Sequence, residues 1–135
     1  WFPGHTVLVE GFIPSYGNTK KKEVAATYVL GWELAPRWKL NASLRYATES
    51  QKRDDWATWS PAIVLKAPFA ERWTAQLETF GVIPQGQAGG HPQYFAGPGL
   101  QTLLTPGFEL NLRLGTGLNS VSPQFYLSTG VGLAF

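Results

Sequence analysis

The chain has 135 residues, enough for one domain with one core. With 11 Lys+Arg against 9 Asp+Glu, its formal charge of +2 gives no electrostatic footprint for nucleic acid. Only 15% of residues are charged, while 15 Gly, 10 Pro and 19 Phe, Tyr or Trp favour an all-β chain over a helical or disordered one. Cysteine is absent, which excludes disulfides and thiolate metal sites. No apolar run approaches the ~18 residues of a membrane helix, so any membrane role must come through a barrel or a surface contact. The chain opens on Trp1 with no Met, basic n-region or apolar h-region and reads as a processed or truncated form.

Segments of roughly ten residues with a period near two recur along the chain. Residues 5–13 predict a first, irregular strand. In 23–34, Val24, Ala26, Tyr28, Leu30, Trp32 and Leu34 share a face. In 38–49, Trp38, Leu40, Ala42, Leu44 and Tyr46 oppose Lys39, Asn41, Ser43, Arg45 and Glu49. Strands over 55–66, 70–83 and 93–104 follow. In 107–118, Phe108, Leu110, Leu112 and Leu114 oppose Glu109, Asn111 and Arg113. The last segment, 124–135, sets Phe125, Leu127, Val131, Leu133 and Phe135 against Tyr126, Ser128, Gly130, Gly132 and Ala134. A strand projects successive side chains to opposite sides, so each segment has one apolar and one small or polar face. No helical period competes with eight strands.

The connections alternate in character. Ala35-Pro36-Arg37, Ala67-Pro68-Phe69 and Thr105-Pro106-Gly107 read as tight turns. Pro14–Lys22, Ser50–Asp54, Pro84–Pro92 and Asn119–Pro123 are longer or more polar, and Lys20-Lys21-Lys22 reads as a solvated loop tip. Aromatics gather near strand ends. Trp32, Trp38, Phe69, Trp73 and Phe108 flank the short turns, and Trp56, Trp59, Tyr94 and Phe125 follow the longer connections. Two such belts suit amphipathic rings at the two surfaces of a membrane, or the caps of a soluble barrel.

The final strand, ending on its aromatic residue, resembles the terminal strand of outer-membrane β-barrels, where it acts as the assembly signal. That resemblance assigns the signal to Val131, Leu133 and Phe135. It implies an antiparallel up-and-down transmembrane β-barrel over residues 1–135, in the outer membrane of a Gram-negative bacterium. Lipid, lipopolysaccharide and the barrel-assembly machinery are then the expected partners, together with partner subunits. With the apolar faces outward, the opposite faces line a lumen. They carry Glu10, Glu33, Glu49, Glu78 and Glu109 against Lys39, Arg45, Lys66, Arg72 and Arg113. A soluble barrel of this size fills its interior with apolar side chains instead. Five acids and five bases can pair into a network that closes a narrow lumen, or line a water-filled passage in a wider one.

Nothing in the chain suggests catalysis. His5 and His91 have no Ser or acid two to four residues away on the same face, so no acyl-transfer triad is expected. Gly86, Gly89, Gly90, Gly97 and Gly99 form no phosphate loop, because neither Gly-Lys-Ser/Thr nor a helix follows. Two His without Cys make no metal constellation, and no cofactor is expected.

From Glu71 to Phe135 the chain resembles the outer-membrane transporters associated with the meta-pathway of phenol degradation. The likeness rests on Arg72, Trp73, Leu77 and Glu78, then His91, Gln93, Tyr94, Phe95, Gly97 and Gly99. Leu103-Leu104-Thr105-Pro106, the strand through Glu109, Asn111, Arg113, Gly115, Gly117 and Leu118, and the terminal Gly130–Phe135 complete it. A weaker similarity reaches back to about Thr27. The resemblance implies passage of small hydrophobic or aromatic compounds. Two features depart from it: the chain holds about eight strands where the family has roughly a dozen, and Ala134 replaces a basic residue before Phe135. The chain is then the C-terminal part of a larger barrel, an eight-strand relative, or a subunit completed by a partner. A transporter-like barrel is the leading expectation. A structural subunit anchoring an envelope assembly, and a soluble lipocalin-type barrel, are the alternatives.

Overall fold

Period-two alternation builds every element. The computed structural model describes residues 2–12, 23–51 and 54–133. They form eight strands: β1 (Gly4–Phe12), β2 (Glu23–Ala35), β3 (Trp38–Gln51), β4 (Asp54–Pro68), β5 (Trp73–Gln85), β6 (Gln93–Thr105), β7 (Phe108–Gly117) and β8 (Tyr126–Leu133). Each strand pairs antiparallel with its sequence neighbours, in the order β1 to β8. The all-β, up-and-down sheet curls into a half-barrel, and among the described residues no pairing joins β1 to β8.

The short turns and both outer strand ends, Gly4 and Leu133, lie at one end of the sheet, and the remaining connections at the other. Several boundaries differ from the sequence expectation, and Ala67 and Pro68, expected in a tight turn, instead end β4 opposite Ala75 and Thr74. β5 starts at Trp73 because Phe69–Arg72 form a turn, in which the Phe69 N–H donates to the Trp73 carbonyl at 3.1 Å and the Trp73 N–H to Ala70 at 3.3 Å. The connection expected over Ser50–Asp54 shortens, since the β3–β4 ladder continues to Gln51↔Asp54. The last strand begins at Tyr126, because the Thr116 hydroxyl donates to the Gln124 carbonyl at 2.8 Å and holds the chain in a loop until then. Lys20-Lys21-Lys22 lies outside the described residues.

Register keeps the faces in phase across the whole sheet. Trp32↔Leu40, Leu40↔Leu65, Leu65↔Leu77, Leu100↔Leu112 and Leu110↔Val131 put apolar side chains on the outer face. Val9 (74%), Leu127 (61%) and Val131 (65%) are exposed there. Among the described strand residues this face carries no Lys or Arg, and Asp55 at the loop end of β4 is its only acid. Trp59 and Trp73 face outward, whereas Trp56 has the opposite parity and turns inward, out of the expected belt.

The buried side chains of the strands sit on the inner face: Ala25, Ala47, Thr58, Gln76, Glu78 and Phe95. Glycines make room for them. A side chain at Gly97 would collide with the Leu114 carbonyl of β7. At Gly99 it would meet Gln76 Nε2 at 2.5 Å and Arg113 Cγ at 3.0 Å, and at Gly115 it would meet the Tyr126 ring at 2.6 Å. Gly97→Ala therefore overpacks backbone against backbone and should lower stability by about 3 kcal/mol in urea unfolding. Gly130→Ala, whose added carbon meets only Asn111 Cβ at 3.8 Å, should leave the unfolding midpoint unchanged.

Candidate functional site

The inner face is a polar surface assembled from alternate residues of every strand. Arg45 of β3 reaches over β2 to Glu10 of β1, Nε to carboxylate at 3.5 Å. It can do so because the β2 positions beneath, Ala25 and Thr27, are small. Lys39 pairs with Glu33 at 3.7 Å near the short-turn end, where both side chains are exposed. Water screens such pairs, so each contributes little.

The β5–β8 half is different. Lys66 Nζ donates to Gln101 Oε1 at 3.3 Å, and Gln76 Nε2 donates to Asn111 Oδ1 at 3.2 Å across the floor at Gly99. Next along the strands, Arg113 donates through Nη1 to Glu78 Oε2 at 3.3 Å and through Nη2 to Ser128 Oγ at 3.3 Å. The Tyr126 hydroxyl donates to the other Glu78 oxygen at 2.8 Å. Glu78 on β5 and Tyr126 on β8 stand three ladder steps apart, about 14 Å along a flat sheet. They meet because the sheet curls and the inner positions between them, Gly97 and Gly115, have no side chains. Above this layer Phe80 stacks on Phe95 at 4.9 Å, and Tyr126 stands edge-on to both at 5.4 and 5.7 Å.

These groups fill the inner side of β5–β8 with a satisfied network. The Glu78 side chain is 4% exposed, and both of its oxygens are engaged. Chemically the arrangement holds a compensated charge and presents polar groups. Among the described residues no three His, Cys, Asp or Glu converge as a metal site would require.

The other sequence-selected residues fall as follows. Glu109 lies on the inner face between Leu103 and Gly132, without a polar partner among the described residues. Glu49 pairs through its backbone opposite Trp56, and its side chain is outside the described ones. Arg72 sits in the β4–β5 turn and donates to the Leu104 carbonyl at 3.4 Å, so it joins a turn to β6 at the edge of the sheet. Val131 and Leu133 point outward opposite Leu110 and Phe108, and Phe135 lies outside the described residues. His5 faces outward, its Nδ1 2.5 Å from the Tyr28 hydroxyl. His91 lines a cavity at the loop end.

Sequence reasoning passed over Tyr126, Ser128, Phe80 and Phe95 as site residues. The available signal was glycine at the inner positions 97, 99 and 115, opposite long polar side chains on neighbouring strands. Removing a buried carboxylate strands its partners, so Glu78→Ala should lose roughly 2–4 kcal/mol of stability. Glu10→Ala breaks a pair whose side chains are 35% and 50% exposed, and should lose less than ~1 kcal/mol in the same urea titration.

No curated protein matches the chain. A family model matches residues 3–135, well beyond the stretch from Glu71 that carries the clearest motifs. The chain thus belongs to the family described as Putative MetA-pathway of phenol degradation.

Proposed function

We propose that this chain forms an outer-membrane β-barrel wall along which small compounds cross, without catalysis. The observation that carries the proposal is the inside-out polarity of the sheet. Its outer face is apolar and lacks Lys and Arg among the described strand residues, and its inner face bears Glu10, Glu33, Lys39, Arg45, Lys66, Glu78, Glu109 and Arg113. Soluble monomers seldom expose contiguous apolar patches beyond a few hundred Å². A hydrocarbon phase makes such a face favourable and requires every backbone group to be bonded within the sheet. A soluble lipocalin-type barrel needs the opposite polarity.

In this proposal lipid and lipopolysaccharide contact the outer face, and the barrel-assembly machinery recognises the last strand. Among the described residues β1 and β8 each pair on one side only, and in hydrocarbon their other edges require backbone partners. The β1–β4 half of the inner face, where Glu33 and Lys39 are exposed, offers the route for solute. The accessory-subunit alternative draws on one observation, the filled network around Glu78, which suits a wall better than a pore.

Two measurements test the proposal. In liposomes, variants keeping only Trp59 or Trp73 should be quenched strongly by brominated lipid, and a variant keeping only Trp56 weakly. A protein that stays soluble without detergent and shows no quenching contradicts the membrane assignment. In planar bilayers, discrete stable openings support passage, and a silent, fully inserted protein supports the structural alternative.

A further inference from the structure

One ladder row of the inner face, toward the short-turn end, holds more cations than acids. Its register runs Glu33↔Lys39↔Lys66↔Gln76↔Gly99↔Arg113 from β2 to β7. Arg113 is already engaged by the buried carboxylate of Glu78. Lys39 and Lys66 stand directly opposite each other, about 5 Å apart at Cβ, an arrangement in which like charges repel. The pair meets one carboxylate, that of Glu33, at 3.7 Å from Lys39. Lys66 is half-buried, and its partner is an amide oxygen, Gln101 Oε1 at 3.3 Å. Among the described residues no acid comes within ion-pair reach of the Lys66 ammonium.

The bonds already made decide which groups are left over. Gln101 uses its amide oxygen to accept from Lys66, and Asn111 uses its own to accept from Gln76 at 3.2 Å. Gln101 and Asn111 are cross-strand neighbours on β6 and β7. Their two amide NH2 groups therefore remain as donors, beside the further N–H groups of Lys66. The amide oxygen left over belongs to Gln76, which is only 6% exposed at the floor. What this part of the inner face offers a solute is a set of donors around one ammonium.

We propose that Lys66, together with Gln101, Asn111 and Lys39, binds a small monovalent carboxylate. Its two oxygens can accept from the Lys66 ammonium and from an amide N–H at once, and charge-assisted bonds of this kind are the stronger ones. Local charge sets the valence, because two lysines against Glu33 leave one positive charge uncompensated. Glu109, the next inner position of β7 beyond Asn111 toward the short turn, bounds the site and disfavours a second negative charge. The site lies where the exposed β1–β4 half meets the filled network of β5–β8. Binding requires the folded sheet and does not require that the anion then cross a membrane.

The test is fluorine NMR of trifluoroacetate titrated with the intact protein in maltoside micelles at low chloride. Its line should broaden saturably with wild-type protein, and the line of uncharged trifluoroethanol should not. Lys66→Gln should weaken binding about tenfold, and Lys66→Arg should retain it. Gln101→Ala keeps every charge and should weaken binding roughly threefold even if Lys66→Gln fails to fold. Glu109→Gln should tighten it about twofold by removing a nearby negative charge. Arg37→Asn lowers the net charge by the same unit in the β2–β3 turn, outside the row, and should change nothing. Broadening that does not saturate, that Lys66→Gln leaves unchanged, or that trifluoroethanol shares would overturn the site. A protein silent in planar bilayers that still binds trifluoroacetate, with the loss in Lys66→Gln, would count against passage and leave this site standing.

Discussion

Ladder register is the constraint on which the rest of this structure depends. A strand alternates its side chains with period two, so a slip of one residue exchanges the inner and outer faces. Seven antiparallel ladders keep β1 to β8 in phase, and the irregularities, between Glu33 and Ala35 and between Leu103 and Thr105, sit next to the short turns. Placed there, they adjust the turn without shifting the rest of the strand. One apolar surface and one polar surface therefore run the width of the sheet.

Within that frame, glycine decides what the inner surface can hold. Where β1–β4 carry Thr27, Ser43 and Ala62, neighbouring inner side chains meet only as partly exposed pairs. Where β6 and β7 carry Gly97, Gly99 and Gly115, long side chains from β5 and β8 lie down over the bare backbone and reach one another. Burial of Glu78 follows, and with it the need for both Arg113 and Tyr126. The two halves of the sheet thus differ in kind, one accessible and one filled. The loop-end cavity sits above the filled half, under connections that this half ties together.

Much of this was legible in the sequence because it is local. Phe108-Glu109-Leu110-Asn111-Leu112-Arg113 declares both faces of β7 in six residues, and the turns at Pro36 and Pro106 mark one end of the sheet. The Glu78–Tyr126 contact spans 48 positions and depends on curl, which no local pattern encodes. The same holds for the inward turn of Trp56, where a belt of aromatics was expected and parity against Glu49 decided otherwise. Arg72 shows the converse error. Its alternation with Gln76 and Glu78 looked strand-like, but backbone hydrogen bonds through Ala70 and Trp73 hold the segment as a turn.

The central claim is that the two faces of one strand meet different solvents, and β7 tests it most directly. The chain has no cysteine, so single cysteines placed from 108 to 117 can each carry one spin label in membrane-reconstituted protein. The account predicts collision with oxygen peaking at 108, 110, 112 and 114, and collision with a water-soluble nickel chelate peaking at the residues between. Equal access of the chelate to both faces would contradict it.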